Sequence, residues 1–211
     1  MTHPTIAQGL LDIQAVFLRP NEPFTWASGI KSPIYTDNRL ILSYPDFRSQ
    51  VEEGLAQLVK EHFPEAQVLM GTATAGIAHA ALVAERLGLP MGYVRSGSKD
   101  HGRKNRIEGR LNPGDKVVVI EDLISTGGSL LDVVEALEEA GAQVIGACAI
   151  FTYGMEKSIR AFEDHPLEVH TLTNFDKIVD TALEMGHIEE EDRSKLMTFR
   201  DNPQDESWIH A

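Results

Sequence analysis

Apolar residues follow two patterns along this chain. One is helical spacing: Ile6, Leu10, Ile13 and Phe17 share a face near the start, and Phe47, Val51, Leu55 and Leu58 share one after Pro45. The other is the short unbroken run, seen at Val68 to Met70, Met91 to Val94, Val117 to Ile120 and Val144 to Phe151. Runs of this length, rich in β-branched residues, predict strands buried on both faces, as in a parallel sheet. Helices fit between them. Gly71-Thr-Ala-Thr-Ala-Gly76 leads into an alanine-rich segment that stops at Leu87-Gly88. Leu130, Val133, Val134 and Leu137 recur at i, i+3, i+4 and i+7, Gly141 stands where a C′ residue belongs, and Asp132 falls on the solvent side. Repeated strand–turn–helix units predict an α/β fold, a mostly parallel sheet with helices on both faces.

Outside that core the pattern predicts strand-like pieces at Phe24 to Ala27 and Ile34 to Asp37. It also predicts a strand at Val169 to Leu172, a helix from Phe175 to Met185 and an acidic stretch from Glu189 to Asp192. The expected layout is one domain over 1–211: helices and small strands in 1–65, an α/β core in 66–170, and a strand with helices in 171–211. Ser96 to Pro113 is polar, with glycines and no apolar period. It is long for an unstructured connection, so it is expected to be functional or mobile.

Composition narrows the function. A formal net charge of -13 argues against a nucleic-acid binder. No 18-residue apolar run occurs and no basic residues precede an apolar stretch at the start, so neither a membrane span nor a secretory signal is expected, and the cytoplasm is the simplest location. Cys148 is the single cysteine, which excludes an internal disulfide, and its apolar surroundings predict a buried, inert thiol. His62, His79 and His170 show no metal-ligand spacing and read as core or surface residues.

The chemistry concentrates in 117–129. Glu121 and Asp122 follow the apolar run of a strand, and Ser125-Thr-Gly-Gly-Ser129 then opens a helix. Such a turn offers free N–H groups and the positive end of a helix dipole to a phosphate. The adjacent carboxylates suit a ribose diol, a metal or a developing positive charge. Together they describe a site for a phosphorylated sugar. The motif is neither a Walker A loop nor a dinucleotide fingerprint, since both Gly-Lys-Ser/Thr and Gly-x-Gly-x-x-Gly are missing.

This stretch resembles the signature of the type I phosphoribosyltransferases, which use 5-phosphoribosyl-1-diphosphate (PRPP). The resemblance implies that Glu121, Asp122, Leu123, Ile124, Ser125, Thr126, Gly127, Gly128 and Ser129 bind PRPP, and that Thr74, in the Gly71 to Gly76 turn, meets the diphosphate. Arg95, Lys99 and His101 match a cationic catalytic loop of the family, with Ser96 where lysine is common. Lys99 and His101, with Glu121 and Asp122, are then the catalytic set.

The segment Phe24 to Tyr35 resembles the base-covering hood of the orotate-using members. That implies transfer of the phosphoribosyl group to N1 of orotate, with orotate held near Tyr35, Ser125 and Tyr153. It also implies Mg²⁺ carried mainly by PRPP and water rather than by direct protein ligands, and a homodimer whose loops serve the neighbouring site. Ala27, Ala75 and Tyr153 stand where many of these enzymes carry basic residues, so the anchors must differ here. Tyr153 could contact the base or simply pack. A purine-using enzyme, or a PRPP-sensing regulator of the same fold, are the alternatives.

Overall fold

The chain is described from a computed structural model that covers residues 5–26, 29–95, 97 and 106–210. Its N-terminal part holds α1 (Ile6–Asp12) and four short strands: β1 (Val16–Leu18), β2 (Phe24–Thr25), β3 (Lys31–Ser32) and β4 (Ile34–Thr36). They pair as two antiparallel ribbons, β1 with β4 and β2 with β3. α2 (Pro45–His62) follows, then β5 (Val68–Thr72), α3 (Ala75–Leu87), β6 (Met91–Val94), β7 (Ile107–Glu108), β8 (Lys116–Ile124), α4 (Gly128–Glu139) and β9 (Gln143–Thr152). The chain ends with α5 (Glu156–Asp164), β10 (Val169–Asn174), α6 (Phe175–Glu184) and α7 (Glu190–Asp201).

The unbroken apolar runs become the middle of one six-stranded sheet in the order β10-β9-β8-β5-β6-β7, parallel throughout except for β7 at the edge. Alternate residues of β8 supply opposite layers, as strand geometry requires. Val118 and Ile120 join a core with Leu55 of α2, Val83 of α3, Ile178 of α6 and Phe199 of α7. Val117 and Val119 join a second core with Leu130, Val133 and Leu137 of α4. Each fully buried side chain of this size contributes about 1.5–3 kcal/mol. The expected α/β architecture, with helices on both faces, is what the chain forms.

Four details differ from the sequence pattern. The first helix stops at Asp12, and Phe17, expected on its face, lies in β1 paired with Tyr35. β8 does not stop at Ile120 but continues through the carboxylates to Ile124, because the long neighbour β9 pairs with it as far as Thr152. α5 is missing from the expected layout although Met155, Ile159 and Phe162 stand at helical spacing; it is a short surface helix in which only Ser158 is fully buried. The acidic stretch starts α7, where Glu189 and Asp192 form a capping box, and only Leu196 and Phe199 are buried. Cys148 is fully buried, and burial pushes its thiol up to about 12, so it is inert as expected. Among the described residues no helix is long and apolar enough to cross a membrane.

Because β5, β8, β9 and β10 run the same way, Thr72, Ile124, Thr152 and Asn174 end along one rim of the sheet. Turns leading into helices gather there, the usual place for a ligand in an open α/β sheet.

Candidate active site

The 125–129 turn sits at this rim. Gly127 is the N-cap of α4 with φ of +81°, a left-handed conformation that glycine adopts without strain, and no side chain caps the helix. The first N–H groups of α4 therefore have no intrahelical or side-chain acceptor. A cavity of about 200 Å³ lies against them, lined by Glu121, Ile124, Ser125, Thr126, Gly127 and Ser129 among others. It is small, carries the hydroxyls of Ser125, Thr126 and Ser129, and is set on the positive end of a helix, a cradle for a phosphate group.

The two carboxylates do different things. Glu121 borders the cradle yet is only 6 % exposed. Its Oε1 accepts from the Thr72 hydroxyl at 2.5 Å and from the Asp122 N–H at 2.9 Å. Burial pushes its carboxyl up to about 8, and the neighbouring Asp122 adds to the rise. Asp122, next along the strand, is half-buried; its backbone carbonyl accepts from Asn38 Nδ2 at 2.7 Å, which ties the N-terminal part to the strand end. Arg39, held chiefly by Asp37, also feels the Asp122 charge.

A stability prediction follows for Glu121. Between the ordinary value of 4.5 and about 8 the folded chain holds a proton that the unfolded chain has released. Stability should therefore fall as pH rises through that window and level off above it. Glu121→Gln keeps an acceptor for both donors without the titration. Urea midpoints at pH 5 and pH 8 should show the wild type losing ground to this variant at the higher pH. A constant difference would mean that the carboxyl is ionised throughout.

The Gly71 to Gly76 turn lies beside the cradle. A Cβ on Gly76 would come within 2.5 Å of both Ile120 O and Thr72 Oγ1, so only glycine lets α3 start this close to β8. The Ala73–Thr74 peptide is cis, and Thr74 is exposed at the N-cap of α3. One turn further, His79 Nδ1 meets Glu52 Oε1 at 2.7 Å in a wholly buried link between α3 and α2. His79 is thus a core residue, but with a partner that the sequence did not reveal.

A second cavity, about 290 Å³, shares Ser125 and Thr126 with the cradle and is walled by Trp26, Ile30, Met155, Glu156, Lys157, Asp201 and Gln204 among others. It is where a flat base could reach a sugar held on the motif turn. Lys157 gives it a cation. Sequence reasoning passed over Lys157, a charge on a short surface helix. A larger cavity of about 550 Å³ at the ends of β9 and β10 includes Glu156, Asp176 and Asp201, and its Arg200 is occupied by Asp176 and Asp201. Glu156 and Asp201 border both cavities, but only the smaller one adjoins the motif turn and holds a lysine.

Tyr153 is 4 % exposed and its hydroxyl donates to Thr36 Oγ1 at 3.2 Å. Its ring packs against Trp26, Phe151 and Phe175, so it supports the floor beneath the N-terminal part. Tyr35 is 41 % exposed and leans on Phe24.

Arg95 directly follows β6 and pairs with Glu108 at 3.1 Å. Its N–H donates to Arg106 O, while Arg106 Nε donates back to Arg95 O at 2.8 Å. The largely buried Arg106 guanidinium then grips Asp132 on α4 with two bonds, at 3.2 and 2.5 Å. Asp132 is thus half-exposed but not idle: it ties the two ends of the 96–105 segment to the helix that carries the cradle. Ser96, Lys99, His101 and Ala27 lie outside the described residues.

Comparison with known proteins agrees with this geometry. The family described as "Phosphoribosyl transferase domain" matches residues 40–184. An orotate phosphoribosyltransferase from Bacillus subtilis is 58 % identical over 97 % of this chain and 94 % of its own length. One from Enterococcus faecalis is 58 % identical over 96 % of both. The crystal structure of orotate phosphoribosyltransferase from Aeropyrum pernix superposes with a TM-score of 0.77 at 27 % identity, over 88 % of this chain and 100 % of that one. With its strand-end carboxylates, phosphate cradle and near full-length relatives, this chain belongs to the phosphoribosyltransferase family and, within it, to the orotate phosphoribosyltransferases.

Proposed function

We infer that this chain transfers the 5-phosphoribosyl group from PRPP to N1 of orotate, giving orotidine 5′-monophosphate and diphosphate in pyrimidine biosynthesis. The observation that carries this reading is the shared wall: Ser125 and Thr126 line both the phosphate cradle and the cavity under Trp26. One side of the turn holds the 5′-phosphate while the other meets the base, which fixes the anomeric carbon between them.

The bond to the leaving diphosphate breaks early, so the ribosyl ring carries positive charge in the transition state. Asp122 stabilises that charge, and Glu121 bonds the ribose hydroxyls while holding the strand end rigid through Thr72. The exposed turn around Thr74, free of a side-chain cap, receives the diphosphate. Arg95 faces the same anion from the end of β6, and Lys99 and His101 are proposed to neutralise its charge as it leaves. We assign the loop to the neighbouring subunit of a homodimer.

Magnesium fits this donor set. Among the described residues the cleft offers the half-exposed carboxylate of Asp122 and the buried one of Glu121, so a hydrated ion would be held by PRPP with Asp122 at most through water. When bound it shields the diphosphate charge.

Substrate choice tests the reading. With PRPP and Mg²⁺, orotate should react while uracil, which lacks the carboxylate, should be poorer by about tenfold to a hundredfold in kcat/KM, the cost of unpaired buried groups. Lys157→Gln should raise the KM for orotate and narrow that ratio. Turnover of hypoxanthine or guanine without orotate turnover would overturn the assignment. An unchanged ratio in Lys157→Gln would place the carboxylate elsewhere in the cavity.

A further inference from the structure

At the opposite end of the sheet, three side chains from distant parts of the sequence come together. His62 is the last residue of α2, Glu168 precedes β10, and His170 is its second residue. Glu168 and His170 alternate onto one face of the strand, the face on which α2 packs. The imidazoles of His62 and His170 stack with centroids 3.5 Å apart and planes 13° from parallel, and His170 Nε2 lies 2.7 Å from Glu168 Oε1. One ligand atom from each residue falls within 4.8 Å of the others. Buried Phe63 touches both rings, so the pair is seated on the core rather than loose in solvent.

We propose that His62, Glu168 and His170 form a binding site for a divalent transition metal of the zinc type. Two imidazole rings 3.5 Å apart with a carboxylate beside them are the ligand types that hold zinc. Parallel rings place their nitrogens side by side, close to the ~3.3 Å separation of adjacent ligands on an ion bound at about 2.0–2.2 Å. A ring nitrogen's lone pair lies in the ring plane, so the rings must tilt toward the ion. His62 stands exposed at a helix end, so its ring can tilt while keeping its contact with Phe63. For Nε2 of His170 to bind, its ring proton must sit on Nδ1, and Glu168 then becomes the third ligand instead of a hydrogen-bond partner. Two nitrogens and one carboxylate, open to solvent, suit zinc, nickel or copper, and not magnesium, which prefers oxygen. The ion would tie the end of α2 to an edge strand, a structural role remote from the carboxylates at the other rim.

The test uses tag-free, metal-stripped protein titrated with Zn²⁺ in a calorimeter, and with Co²⁺ followed by its visible absorption. One ion per chain is expected, with a rise in Tm and unchanged turnover at one equivalent. Glu168→Gln should weaken binding about tenfold, and the His62→Ala/His170→Ala double variant should abolish both binding and the Tm rise. The double variant should still turn over substrate as the wild type does, which shows that it is folded. Binding that survives in the double variant, or that disappears in Asp122→Asn instead, would overturn the proposal. So would the absence of binding at equimolar metal in the wild type.

Discussion

Asp122→Asn should lower the turnover rate at least about tenfold, or 1.4 kcal/mol and more in the barrier. The KM values for PRPP and orotate should move much less. The reason is differential: a full positive charge on the ribosyl ring exists only in the transition state, so removing a nearby negative charge is felt chiefly there. Glu121→Gln should cost less at pH 7, because burial already keeps that carboxyl protonated in the free site, up to about 8. A Glu121→Gln loss as large as that of Asp122→Asn would mean that Glu121 gives up its proton when substrate binds. Glu85, exposed on α3, is the proper control, and Glu85→Gln should change nothing. Asp132, the obvious choice from helical periodicity alone, is unsuitable because it holds Arg106. Steady-state kinetics on the four proteins decides the matter, and equal losses in Asp122→Asn and Glu85→Gln would end the electrostatic account.

What the sequence made legible follows from how locally each feature is encoded. β6 matches its apolar run end for end, and the runs for β5, β8 and β9 fall inside their strands, because burial between neighbouring strands and helices leaves an unbroken apolar string; β10, half-buried at the edge, shows only through Val169 and Leu172 among polar residues. The cradle was legible too, since all its parts lie within a dozen residues of one another. Features assembled across the chain were not. Thr72 meeting Glu121, Arg106 meeting Asp132, and His62 stacking on His170 join positions 49, 26 and 108 residues apart, and no periodicity records such pairs. Lys157 escaped for a different reason. α5 is short and lies at the surface, with Phe162 packed on the core, so its lysine reads in sequence as one more solvated charge.

Mixed dimers should give the largest recovery of activity. Lys99→Ala and Asp122→Asn should each leave little turnover as homodimers. If the loop acts on the neighbouring site, a heterodimer of the two holds one site with both lesions and one with neither. Activity per heterodimer should then return to about half that of wild type, by the two-site counting of a symmetric dimer. Geometry alone does not choose between the sites. The 96–105 segment leaves from between Arg95 and Arg106, whose backbones hydrogen-bond to each other, and β6 lies two strands from β8. Two strand spacings are about 9.6 Å. Five residues out and five back can reach about 17 Å, so the chain's own site is also within range. If the loop serves its own chain, every site in the heterodimer keeps one lesion and activity stays near the floor of the two parents. Heterodimers verified by mass, assayed with PRPP and orotate, separate the two outcomes by the full difference between half-activity and none.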